Sequence, residues 1–142
     1  MIGEVIMDGI KIELILFSDN PNLDVDLVSK FIGIFPVNKE SIGDTVYFGE
    51  TNNLKREVDV SSLMYSTECI KTVEVEVAIK NVVKLIEPKL NNIIEAVHKY
   101  RLTSKFCIVI SLPEKPIVFL PKEFVEIAAQ LRAEIEFDTY IG

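Results

Sequence analysis

The chain predicts an α+β fold: a single domain in which helices pack on a mixed, largely antiparallel sheet as a two-layer sandwich. Three observations carry this expectation. Strand-like segments outnumber those that simple strand–helix–strand crossovers would use, and several are polar on one face, as antiparallel strands wetted on one side are. The helical segments are short amphipathic stripes bounded by recognisable start and stop residues. A length of 142 residues, 49% hydrophobic and 26% charged, suits one packed domain over residues 1–142 and excludes wholesale disorder.

The elements follow in chain order. Glu4 to Met7 reads as a short leading strand, closed by Asp8-Gly9 as a hairpin turn, because both central positions of such a turn take positive φ. Ile10 to Ser18 begins with strict alternation: Ile10, Ile12, Leu14 and Leu16 face one way, Lys11 and Glu13 the other. Ile15 and Phe17 then make both faces apolar, which predicts a strand covered on both sides at its far end. Val25 to Ile32 is a helix with Asp24 as its N-cap, Leu23 stapled on Val28, and Leu27, Val28, Phe31 and Ile32 as the buried stripe. Gly33 supplies a left-handed terminus and Pro36 forbids continuation.

Asn38 to Asp44 reads as a polar loop, Thr45 to Phe48 as a short strand, and Glu50 to Lys55 as a turn or a mobile loop. Arg56 to Val60 and Leu63 to Cys69 follow as strands. Residues 73–77 fit two templates: Val73, Val75 and Val77 alternate with Glu74 and Glu76, yet Val75, Ile79, Val82, Val83 and Ile86 recur at helical spacing. The longer stripe favours a helix from about Glu74 to Ile86. Pro88 marks a kink or the first turn of a second helix, whose apolar stripe runs through Leu90, Ile93, Ile94 and Val97 to about Arg101. Lys105 to Leu112 is a strand, Pro113 to Pro116 a turn, and Ile117 to Leu120 a short strand. Pro121 opens a helix with Phe124, Ile127, Ala128 and Leu131 inward. Ala133 to Ile141 closes the chain as a strand with Ile135, Phe137 and Ile141 inward and Glu134, Glu136 and Asp138 outward.

Composition excludes several function classes. Fifteen Lys and Arg stand against 22 Asp and Glu, a net charge of −7. That argues against nucleic acid as a partner, since such affinity rests on neutralising phosphates. Apolar runs such as Ile12 to Phe17 and Phe106 to Leu112 are far shorter than the roughly 18 residues of a membrane helix. The first residues, MIGEVIMDG, lack the basic start of a secretory signal. A soluble, cytoplasmic protein with no membrane partner is expected. Two cysteines, no Cys-x-x-Cys and one histidine leave no zinc-site pattern. Cys69 and Cys107, both within apolar runs, are expected to be buried reduced thiols.

A family pattern is visible in these segments. A strand ends near Ser18-Asp19. LDVDLVSKFIGIFP then carries an acidic-capped helix into Gly33-Ile34 and Pro36. Gly43-Asp44, a paired-helix region, a strand, and a last helix leading into FDTY (Phe137 to Tyr140) follow. From about Ile10 to its end the chain resembles the domain-of-unknown-function 4279 family of small, mostly bacterial proteins. That family has no established activity, so the resemblance implies a fold and no chemistry. Its members usually carry a tryptophan in a middle strand; this chain has no Trp, and Leu63 or Tyr65 fills that place.

Chemistry-bearing residues are sparse. His98 stands beside the apolar stripe of the second paired helix with no nucleophile or carboxylate signature near it, and reads as a solvated side chain. Glu134, Glu136 and Asp138 repeat along one strand face about 7 Å apart. A hard cation could bridge them, but such sites draw ligands from several elements, and a solvated sheet face is the expected reading. Gly43-Asp44 reads first as a turn whose Asp bonds neighbouring amides. No glycine-rich phosphate loop exists. Lys80, Lys84, Lys89, Lys99 and Arg101 lie among Glu74, Glu76, Glu87 and Glu95, which predicts a mixed, salt-bridged outer face. No catalytic residue, metal or cofactor is expected.

The function expected from this pattern is that of a non-enzymatic protein-interaction or immunity-type module, whose acidic surface steers a partner into contact. The alternative is a small-ligand or metal-binding domain that gathers Asp44, Asp138 and Tyr140 into one pocket. A third is a homodimer formed through an exposed sheet edge such as Glu4 to Met7.

Overall fold

A computed structural model describes residues 8–141 of the chain. The elements run β1 (Gly9–Ser18), α1 (Val25–Ile32), β2 (Asn38–Glu40), β3 (Thr45–Phe48), β4 (Leu54–Glu57), β5 (Ser61–Ser66), α2 (Val75–Ile86), a 3₁₀ turn (Glu87–Lys89), α3 (Leu90–Lys99), β6 (Thr103–Leu112), α4 (Lys122–Gln130) and β7 (Glu134–Ile141). Five strands form one sheet in the order β2-β5-β1-β6-β7, and β3 and β4 pair as a separate ribbon. Every neighbouring pair in the large sheet is antiparallel except β6 and β7, which run parallel. A parallel pair needs a crossover, and α4 provides it.

One face of the sheet is the core. Ile10, Ile12, Leu14 and Leu16 of β1 lie beside Leu63 and Tyr65 of β5 and beside Phe106, Ile108 and Ile110 of β6, all essentially without solvent contact. Buried residues from all four helices join the same cluster, among them Val28, Ile79, Ile93 and Phe124, so the helices form the second layer on this face. Phe106 and Phe124 meet edge to face with centroids 4.8 Å apart, which fixes α4 over β6. The expected α+β architecture is therefore present. The helix expected from about Glu74 to Ile86 is present from Val75, burying Val75, Ala78, Ile79, Val82, Val83 and Ile86 on one side, whereas Val73 and Glu74 lie outside it and Glu74 is extended in a bridge to Ile117.

Caps act where the sequence places them. Asp24 Oδ1 accepts hydrogen bonds from the Asp26 and Leu27 amides at 3.0 and 3.1 Å. Gly33 ends α1 in the left-handed region at φ 87°. Pro121 sits one residue earlier than expected, as the N-cap of α4 in extended conformation.

Several expectations are corrected. Leu27 is 52% exposed, and Val25 and Ser29 are buried in its stead, because the short helix turns its stripe toward β5. Asn38–Glu40 is not loop but a three-residue edge strand paired with Met64, Leu63 and Ser62. The strands expected at Arg56 to Val60 and Leu63 to Cys69 begin earlier, at Leu54 and Ser61, and end earlier. Ile117 to Leu120 is not a strand. Only Ile117 forms a bridge, to Glu74, and the apolar side chains of Ile117, Val118 and Phe119 stand more than half exposed. Phe137 lies on the helix side of β7, yet is 44% exposed because β7 is an edge strand that the helix layer only partly covers.

The leading strand Glu4 to Met7 lies outside the described residues. Gly9 opens β1 rather than serving as the second centre of a hairpin turn. Its φ is +148°, and a Cβ there would stand 2.2 Å from the carbonyl oxygen of Ile70. Ile10 and Ile70 exchange two backbone hydrogen bonds of 2.9 Å at this crossing, so Gly9 is where a second backbone passes too close for any side chain.

Candidate functional site

Among the described residues no helix packs on the second face of the sheet, and its chemistry follows from register. Lys11, Glu13, Ile15 and Phe17 of β1 alternate with the core residues. Across from them lie Val109, Cys107, Lys105 and Thr103 of β6, and beyond those Asp138, Glu136 and Glu134 of β7. Opposite charges pair along this face: Lys11 with Glu13 at 3.1 Å and Lys105 with Glu136 at 3.5 Å.

Cys107 is buried as expected, but not in the hydrophobic interior. It sits on this polar face between Glu13 and Glu136, with Sγ 4.0 Å from Glu136 Oε1. Burial, helped by the charges of Glu13, Glu136 and Asp138, pushes its thiol up to about 11. A thiol so held is protonated at neutral pH and makes a poor nucleophile.

Of the residues expected to form a ligand pocket, two meet and one does not. Tyr140 donates a hydrogen bond to Asp138 Oδ2 at 3.1 Å on β7. Asp44 belongs to the turn after β2, where its carboxylate accepts from the Ser41 amide at 3.0 Å and its own amide donates to the Ser41 carbonyl. β2 and β7 are opposite edges of the sheet, four strand spacings or roughly 19 Å apart. Asp138 also lies level with Val109, six residues along from the Thr103 end that the Asp44 turn adjoins, a further ~20 Å. The two carboxylates thus occupy diagonally opposite corners, and a pocket shared by Asp44, Asp138 and Tyr140 is not formed. Among the described residues no three His, Cys, Asp or Glu side chains gather closely enough to hold a metal ion, so Glu134, Glu136 and Asp138 form a row and not a cage.

What the row does form is an edge. β7 has eight residues, and among the described residues no strand pairs with its outer side. One face of it is acidic, with Glu134, Glu136 and Asp138, and the other carries Ile135 and the half-exposed Phe137. An edge of this length is a template for a further strand. The opposite edge, β2, has only three residues and is flanked by the β3–β4 ribbon, which Arg56 ties to Glu40 through two 3.1 Å contacts to the carboxylate.

His98 is exposed on α3 and borders a cleft at the ends of α3 and α4. The interior is not free of titratable groups. Tyr65 is fully buried on β5, its hydroxyl has no hydrogen-bond partner among the described residues, and burial raises its pKa to about 12. Sequence reasoning missed β7 as an open edge, because edge position depends on strand order, which alternation does not encode.

No helix among the described residues is long and apolar enough to cross a membrane. Neither a curated protein nor a solved structure matches the chain. A family model described as a domain of unknown function (DUF4279) matches residues 8–142, nearly the whole sequence, and the chain belongs to that family.

Proposed function

We propose that this protein is a non-enzymatic interaction module of the cytoplasm, immunity-type in that it restrains or regulates one partner, and that β7 receives an extended segment of that partner as an added strand. The observation that carries this reading is the eight-residue open edge with acidic residues on one face and apolar residues on the other. Strand addition takes affinity from main-chain hydrogen bonds and selectivity from alternate side chains. The complementary segment alternates basic with apolar residues: the basic ones meet Glu134, Glu136 and Asp138, and the apolar ones meet Ile135 and Phe137. Self-pairing of β7 is disfavoured by the same charges, since acidic rows would stand opposite one another. The net charge of −7 speeds encounter with a basic partner. The protonated Cys107 and the separation of Asp44 from Asp138 support a role without catalysis.

An octapeptide alternating Lys and Val tests the reading, with a block isomer of four Lys and four Val as control. Titration followed by amide NMR is expected to shift residues 134–141, to bind the alternating peptide at least tenfold tighter than the block isomer, and to lose that preference in E134K/E136K. Equal binding of both peptides, or shifts elsewhere than β7, refutes strand addition at this edge.

A further inference from the structure

We infer that the cleft between the ends of α3 and α4 is a binding site for a small organic phosphate monoester, gripped by Arg101 and Arg132. The cleft has a volume of about 640 Å³, and its charged or titratable lining consists of His98, Arg101 and Arg132 with no carboxylate. This is an unusual place in a chain of net charge −7. The sequence has three arginines. Arg56 is paired with Glu40, whereas Arg101 and Arg132 make no ion pair with any described residue.

The backbone beneath the two arginines gives the second, independent observation. Each occupies the residue just past a helix end, in the left-handed region, at φ 53° and 52°. The two turns are built alike. The Arg101 amide donates to the His98 carbonyl and the Leu102 amide to that of Val97, and the Arg132 amide donates to the Ala129 carbonyl and the Ala133 amide to that of Ala128. This is the Schellman termination, whose left-handed position glycine fills best. The chain uses glycine there once, at Gly33 after α1. At the two turns bordering the cleft it holds arginine in a conformation that L-residues adopt only with strain. A cation placed in the last helical turn would offset the helix dipole as well and without that strain. Residues kept in strained conformations cluster where a ligand needs them.

Topology brings the pair together. β6 and β7 are parallel neighbours, and each is entered directly from a helix, so the two turns lie side by side at one end of the sheet. Ile94, Val97 and Leu131 supply apolar lining. Two guanidiniums present forked donors matched to phosphoryl oxygens, with charge enough for a dianion and His98 beside them. The volume suits a compact organic group on the apolar side.

Phenyl phosphate is the probe, in 150 mM NaCl, with phenol and inorganic phosphate as separate arms. Amide NMR is expected to show saturable shifts at residues 102–105 and 130–133 with phenyl phosphate, weaker ones with inorganic phosphate, and none with phenol. Arg101→Gly and Arg132→Gly are each expected to weaken phenyl phosphate at least tenfold. Each is also expected to raise the melting temperature by about 2–4 °C, because glycine relieves the left-handed strain. Arginines kept only as helix terminators give the reverse pattern: no saturable shift at the cleft, or binding untouched by the glycine variants, or a lowered melting temperature in both. Any of these overturns the assignment.

Discussion

Replacing Tyr65 with phenylalanine removes one oxygen atom and tests how the core is held. The ring packs on the core face of β5 opposite Leu14 and is wholly buried, while its hydroxyl has no hydrogen-bond partner among the described residues. A buried donor left without a partner costs about 1–3 kcal/mol. The substitution removes that penalty and leaves only a void the size of an oxygen, for a net gain of about 1 kcal/mol, or a melting temperature higher by about 2–4 °C. The pH dependence is an independent check. Tyrosine ionises near 10 when exposed, and burial raises Tyr65 to about 12. Below pH 10 both folded and unfolded states keep the proton and the stability is fully present. As pH rises from 10 to 12 the unfolded chain ionises first and stability is lost. The whole window is worth about 2.7 kcal/mol, with about half of it gone at pH 11. The phenylalanine variant has no group to ionise in this window and escapes that loss. Urea unfolding followed by circular dichroism at pH 8, 10 and 11 should therefore show a small advantage for the variant at pH 8 that widens by about 1.4 kcal/mol at pH 11. A variant less stable than the parent at pH 8, or an advantage that does not grow with pH, refutes the assignment of an unpartnered, desolvated hydroxyl.

Three further outcomes follow from the same structure. Cys107, with its thiol near 11, should react with iodoacetamide at pH 7.5 at least a hundredfold more slowly in the folded protein than in 6 M guanidinium, read by mass spectrometry of its peptide; equal rates would place it at the surface. Gly9→Ala should cost about 2–4 kcal/mol in urea unfolding, because a Cβ 2.2 Å from the Ile70 carbonyl forces apart the two hydrogen bonds between Ile10 and Ile70. Asp24→Ala should lose about 1 kcal/mol with the fold retained, while Asp24→Asn keeps most of the cap; identical stability of all three would show that the two bonds to Asp24 Oδ1 contribute nothing.

Residues whose role is decided within their own segment were legible in the sequence. The alternation Ile10, Ile12, Leu14, Leu16 names the core face of β1 without reference to any neighbour, and Asp24 and Gly33 mark the bounds of α1. Residues whose role depends on strand order were not. Nothing in Asn-Lys-Glu signals the strand β2, which exists because β5 offers an edge. Phe137 reads as inward from its alternation, and only the position of β7 at the rim leaves it half exposed. Gly9 suggests a turn until the Ile70 backbone is seen crossing it. Asp44 and Asp138 read as potential partners until register sets them at opposite corners.

The cleft arginines belong to an intermediate class. Tyr-Arg-Leu after α3 and Leu-Arg-Ala after α4 are each visible as helix ends lacking the usual glycine, and each alone is a minor irregularity. What gives them meaning is that β6 and β7 are parallel. A helix ending into a strand recurs at the same end of the sheet only in a parallel pair, so two ordinary terminations become neighbours and two isolated cations become one positive site. The same pair leaves β7 as an acidic outer strand. Both proposed surfaces thus descend from the one parallel pairing in a sheet that is otherwise antiparallel. Charge reversal along β7 and glycine substitution at Arg101 and Arg132 act on them separately, because one set of residues lies on the strand and the other in the turns that precede the strands.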